Sequence, residues 1–128
     1  FGDNSYSLTA NFTTVAGLRK GSPVNILGID VGRVERIIMD QENLRAVVEL
    51  RIKNDIKIYD DAIASIKTEG LIGDKYLSID PGGGGDLLKH NGVITDTQAA
   101  VDVEQLISKY AFGEIKKVSP NNKDKDKK

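Results

Sequence analysis

"LRAVVELRIK", residues 44–53, decides the fold class. Leu44, Ala46, Val48, Leu50 and Ile52 fall on one side of an extended chain; Arg45, Glu49, Arg51 and Lys53 take the other, with Val47 among them. Period-two patterning of this kind makes a β-strand with one buried and one wet face. Working outward, Tyr6, Leu8, Ala10 and Phe12 alternate in the same way with Ser7, Thr9 and Asn11. Further strands are expected over residues 23–27, 31–39, 61–68, 75–80 and 92–95. Turn-forming residues separate them: Gly17 and Gly21, Gly28, residues 40–43, Asn54-Asp55, residues 82–85 and Asn91-Gly92.

That makes seven short strands and one helix. A single helix cannot cover both faces of a broad parallel sheet, which argues against a doubly wound α/β fold. A small all-β barrel or sandwich fits the alternation. The helix is expected over residues 102–112, "DVEQLISKYAF", with Asp102 as cap, Gln105 three residues on and Gly113 at its end. Val103, Leu106, Ile107 and Tyr110 form its apolar stripe. Eleven residues are too few for a stable free helix, so the stripe packs on its own barrel or on copies of itself. The expected organisation is a linker remnant (1–5), a barrel domain (6–97), a helical segment (98–113) and a disordered Lys-rich tail (114–128).

Composition agrees with a single globular domain: 128 residues, 39% hydrophobic and 29% charged. No apolar run approaches the ~18 residues of a membrane-spanning helix and no secretory signal opens the chain. The expectation is a soluble protein, or one whose anchoring segment precedes Phe1. With no cysteine there is neither disulfide nor thiolate chemistry. The net charge of −1 is unevenly placed, because residues 116–128 hold six Lys and two Asp. That tail reads as a solvated leash, with contact to anionic lipid headgroups as the alternative.

Catalytic constellations are missing. His90, the only histidine, lies in the turn "LLKHNGV" with no second histidine or cysteine to complete a zinc site. No G-x-S-x-G elbow occurs. The glycines at 82–85 are followed by Asp86 where a phosphate-binding loop needs Lys-Ser or Lys-Thr, and a strand rather than a helix comes next. "GLRKGS", residues 17–22, is one residue short of the same motif. Asp60-Asp61, taken as neighbours on a strand, would point to opposite faces. With 5% aromatics and no basic aromatic face, nucleic acid is not an expected partner. Neither a cofactor nor an enzymatic activity is expected.

The stretch "IKTEGLIGDKYLSID", residues 66–80, sets an apolar pair, Leu71-Ile72, between Gly70 and Gly73 at a hairpin tip that ought to be polar. Taken alone, the pair either folds back to cap its own barrel or stays exposed for a partner. A second pair, Leu87-Leu88, also lies near a turn; it fills the core or meets a partner surface.

Several separated motifs occur in a consistent order: G-L-x-x-G-S-P-V-x-x-x-G-x-x-V-G-x-V from Gly17 to Val34, "IKTEGLIGDKYLSI" at 66–79, "NGVITDT" at 91–97 and "VEQLISKYAFG" at 103–113. Together they resemble an MCE (mammalian cell entry) domain of the MlaD type, the kind found in bacterial phospholipid transporters, over about residues 6–113. The resemblance implies a seven-stranded β-barrel followed by a short amphipathic helix. It implies a homohexameric ring with Leu71 and Ile72, flanked by Gly70 and Gly73, forming an apolar constriction in the central hole. Val103, Leu106, Ile107 and Tyr110 would then extend that channel or help assembly. Also implied are phospholipid as cargo, a permease and an ATPase of an ABC transporter as partners, an N-terminal membrane helix, and a periplasmic position anchored at the inner membrane. For the glycines and valines of 17–34 the expected role is structural. The alternative is a β-barrel adaptor that binds a protein or a carbohydrate on its rim.

Overall fold

The computed structural model describes residues 4–70 and 73–99. Eight strands follow one another: β1 (Ser5–Phe12), β2 (Pro23–Ile26), β3 (Ile29–Asp40), β4 (Arg45–Lys53), β5 (Ile63–Thr68), β6 (Lys75–Asp80), β7 (Gly92–Ile94) and β8 (Asp96–Gln98). They form one sheet in the order β7-β1-β4-β3-β2-β6-β5-β8. Its two edge strands, β7 and β8, are separated in the chain by Thr95 alone, so the sheet curls until its edges meet. A hydrogen bond spans the seam, from the Thr97 hydroxyl to the Asn11 carbonyl at 2.6 Å. The all-β barrel class holds, with eight strands in place of seven. The extra one arises because residues 92–98 serve both edges: β7 pairs parallel with β1 and β8 parallel with β5.

Alternation builds the core. Leu8, Ala10 and Phe12 of β1, Val48, Leu50 and Ile52 of β4, Ala64 and Ile66 of β5, and Leu77 and Ile79 of β6 are all buried. Ile94, Val24, Val31 and Val34 complete the barrel interior, and Leu18, Ile58 and Ala62 plug it from the loops. At about 25 cal/mol per Å², each fully buried large aliphatic or aromatic side chain contributes ~1.5–3 kcal/mol. Val31 and Val34 both face inward although three residues apart. A bulge makes this possible: β2–β3 pairing slips between Val24 and Asn25, leaving Val31 as the extra residue of β3, and a second slip, between Val34 and Arg36, follows in the β3–β4 pairing.

Leu44 departs from the alternation. It was expected on the inner face of β4, yet it is 81% exposed, has φ 52° and lies outside the strand. The β3–β4 hairpin projects beyond the end of the barrel, where no opposite wall remains to cover Leu44 or Met39. Its turn is set by Asp40, whose carboxylate accepts from Asn43 N at 3.2 Å and Asn43 Nδ2 at 2.9 Å.

Strand directions define two ends. β2 and β6 run parallel, with Val24 beside Leu77, so the loop before β2 lies next to the start of β6. The 17–22 loop, the β3–β4 tip and the β5–β6 apex therefore share one end. The β2–β3 tip, the β4–β5 loop and the 81–91 loop share the other.

Candidate functional site

β5 and β6 pair in register from Ile63–Asp80 to Thr68–Lys75. The ladder closes with Glu69 N donating to Asp74 O at 3.1 Å, which leaves residues 70–73 as a four-residue apex. Gly70 has φ 68°, a left-handed conformation that costs most L-residues ~1–2 kcal/mol. Gly73 is required for a different reason, since a methyl group there would overlap the carbonyl oxygen of Glu69. Two chemically distinct constraints thus place glycine on each side of the apex. Glu69, Gly70, Gly73 and Asp74, the described residues on either side of the apex, are all exposed. Leu71 and Ile72 lie outside the described residues, as do Val103, Leu106, Ile107 and Tyr110 of the expected helix.

Beside the apex is a cleft of about 270 Å³, lined by Gly17, Arg19, Lys20, Gly21, Ser22, Pro23, Asp74 and Lys75. Parallel pairing of β2 with β6 brings these two segments together across more than fifty residues of sequence. The Lys75 stem lies over Gly17, where an added methyl would stand 2.9 Å from Lys75 Cγ. Lys75 Nζ donates to Thr68 Oγ1 at 2.5 Å. Ser22 is buried, and its Oγ accepts from Arg19 N at 3.1 Å. Sequence reasoning did not find this cleft, because its cations are dispersed along the chain and only the strand order unites them.

The glycine run does bind an anion, but an internal one. Gly83 N and Gly84 N donate to the two carboxylate oxygens of Asp61 at 3.0 and 2.9 Å. Those main-chain bonds, Gly83 first, hold the Asp61 carboxyl below the usual aspartate range. Asp60 and Asp61 sit in a turn ahead of β5 rather than on a strand, which is why Asp61 can turn toward the loop. Asp60 N bonds Asp86 O at 2.8 Å and Leu88 N bonds Ile58 O at 2.8 Å, stapling the two loops. Leu88 packs against the core, while Leu87 is 43% exposed. His90 is tied down as well, its Nδ1 accepting from Ser7 N at 3.1 Å. Among the described residues no group of three or more His, Cys, Asp or Glu could hold a metal ion, and no helix is long and apolar enough to cross a membrane.

The fold is an eight-stranded barrel with one glycine-framed apex and a polar cleft beside it, in keeping with the MCE-type barrel that the sequence resembles. The family model described as "MlaD protein" matches residues 4–82. The intermembrane phospholipid transport system binding protein MlaD of Haemophilus influenzae is 34% identical over 116 residues, which are 88% of this chain and 70% of that protein. Its counterpart in Escherichia coli K12 is 37% identical over 115 residues, 85% of this chain and 63% of that protein. A chain of the Acinetobacter MlaFEDB complex in its ATP-bound Vtrans1 conformation superposes with a TM-score of 0.76 at 26% identity, covering 84% of this chain and 81% of that one. The chain belongs to the MlaD family. The two relatives bear the name of a transport-system binding protein, not of an enzyme.

Proposed function

We propose that this chain is the phospholipid-contacting subunit of an envelope lipid transport system, acting as a homohexameric ring around an apolar central opening. What supports the reading is the pair of exposed glycines, Gly70 and Gly73, that bracket the sequence Leu71-Ile72 where the β5–β6 ladder ends, in a chain of the MlaD family. Left in water on an isolated subunit, each aliphatic side chain would forgo ~1.5–3 kcal/mol of burial. Six copies around an axis would give twelve such side chains one another, and passing acyl chains, as neighbours. Such a surface favours lipid tails over ions or sugars and requires no catalytic group. A helix stripe of Val103, Leu106, Ile107 and Tyr110 would lengthen the opening or hold the ring together. Exposed Met39 and Leu44, on the same end of the barrel, supply apolar surface for subunit contacts.

A permease and an ATPase would supply the membrane path and the energy. The ring would stand on the periplasmic side, anchored at the inner membrane by a helix preceding this chain. The order of parts in this reading is linker 1–5, barrel 6–97, helix 98–113 and a Lys-rich tail 114–128.

Native mass spectrometry of the purified protein tests assembly and cargo together. A hexamer carrying phospholipid is the expected result. A lipid-free monomer for the full-length protein would remove the conduit and leave the adaptor barrel. Substituting Leu71→Asn and Ile72→Asn tests the apex: the ring should persist while bound lipid is lost. Full lipid occupancy in that double variant would end the assignment of the pair.

A further inference from the structure

We propose that the cleft between residues 17–23 and the start of β6 is a phosphate site, and that the phosphate it takes is that of a glycerophospholipid headgroup. The inference rests on the lipid-contacting reading above and adds a polar anchor to its apolar apex. Three cations, Arg19, Lys20 and Lys75, line the cleft against one carboxylate, Asp74. This concentration of positive charge occurs in a chain whose overall charge is −1. Among the described residues the ion pairs are Arg33–Asp30, Arg36–Glu49 and Arg45–Asp40, so neither Arg19 nor Lys20 is committed to a carboxylate. Arg19 can offer a phosphate two parallel N–H donors, and Lys20 a compact second charge.

Ser22 provides the independent observation. It is 7% exposed, the sole polar residue buried among those described, and it lines this cleft. Its oxygen already accepts from Arg19 N, and its hydroxyl proton has no acceptor among the described residues. A buried hydroxyl normally donates as well as accepts, and an anion in the cleft would supply the missing acceptor. The walls are prearranged: Gly17 leaves room for the Lys75 stem, and the Thr68 hydroxyl fixes its ammonium.

Size selects a headgroup over a whole lipid. About 270 Å³ lies below the ~300–1,000 Å³ of pockets that swallow drug-sized ligands. Tails must go outside the cleft, whose lining residue Asp74 directly follows Gly73 in the chain.

The test is a two-dimensional ¹⁵N–¹H NMR titration of the full chain with dihexanoyl phosphatidylglycerol, sodium phosphate and dihexanoylglycerol, the last lacking phosphate. Wild type, Arg19→Gln/Lys20→Gln and Lys57→Gln are compared; Lys57 is an exposed lysine at the other end of the barrel. The phosphatidylglycerol should shift amides 17–23 and 74–75 saturably, about tenfold more weakly in the double variant and unchanged in Lys57→Gln. Sodium phosphate should shift the same amides at higher concentration, and dihexanoylglycerol should leave them still. Lipid-induced shifts confined to other amides would overturn the cleft and leave the conduit reading standing. Shifts with free phosphate but with no lipid would overturn the headgroup assignment and the conduit reading together. Cleft shifts that follow protein dilution without any ligand would mean a second copy occupies the site, and would overturn the proposal.

Discussion

The Asp61 carboxylate accepts a hydrogen bond from the main-chain N–H of Gly84 at 2.9 Å, with Gly83 filling the second oxygen at 3.0 Å. A loop that looks built for phosphate is therefore closed on its own side chain, and it fastens the 81–88 segment to the turn before β5. The approach tolerates no bulk, since a methyl at Gly82, where φ is 73°, would overlap Asp61 Oδ1.

Asp61→Asn should weaken this fastening, because an amide can accept from one glycine N–H but turns its own donor toward the other. Asp61 has its pKa lowered by the bonds from Gly83 and Gly84, so the charged form is the one that the fold favours. Its contribution is present above the unfolded aspartate pKa of ~3.9 and is lost as pH falls through the lower folded value. Thermal melts should show a constant gap between wild type and variant near neutrality. The gap should shrink below about pH 4. A gap that widened with acid would contradict the assignment.

The two apex glycines should respond differently to alanine. Gly70→Ala meets open space but a positive φ, and should cost ~1 kcal/mol while leaving the ladder closed. Gly73→Ala drives a methyl into the Glu69 carbonyl and should unseat the Glu69–Asp74 bond. Amide hydrogen exchange at Glu69 reads the difference: faster in Gly73→Ala, near wild type in Gly70→Ala.

Much of the barrel was legible because its inner positions are aliphatic and its outer ones polar, as in β1 and β4. Asp96–Gln98 was not, since three polar residues carry no alternation; they become a strand only because β5 offers a free edge. Leu44 misled for the opposite reason. Its parity was right, but parity says nothing about where the opposite wall stops. In the site, the glycine frame of the apex could be read from "EGLIGD", whereas the cleft needed the β2–β6 pairing before Arg19 and Lys75 became neighbours.

Leu27 offers a trade between stability and contact. It is 91% exposed with φ 55° and is followed by Gly28 at φ 80°, the positive pair that a type I′ hairpin turn requires. Asparagine accepts that conformation far better than leucine. Leu27→Asn should raise the urea midpoint, corresponding to ~0.5–1 kcal/mol, at an unchanged slope. Such a stabilised variant that transports lipid poorly would identify Leu27 as a side chain kept for what it touches. A lowered midpoint would mean that its aliphatic surface is engaged within the fold.

The seam can be tested at a single hydroxyl. Thr97 Oγ1 donates to Asn11 O at 2.6 Å, joining β8 to β1 where the curled sheet meets itself. Thr97 is partly buried, so Thr97→Val keeps shape and strand preference while deleting the donor. The expected loss is ~1 kcal/mol in chemical denaturation, from one neutral hydrogen bond and a carbonyl left short of a partner. Exchange should quicken first along β7 and β8, whose three-residue ladders hold the closure, before β3 and β4, paired at eight positions, respond. Uniform quickening across all strands would mean that the barrel opens only by global unfolding, and that the Thr97 bond is no local latch.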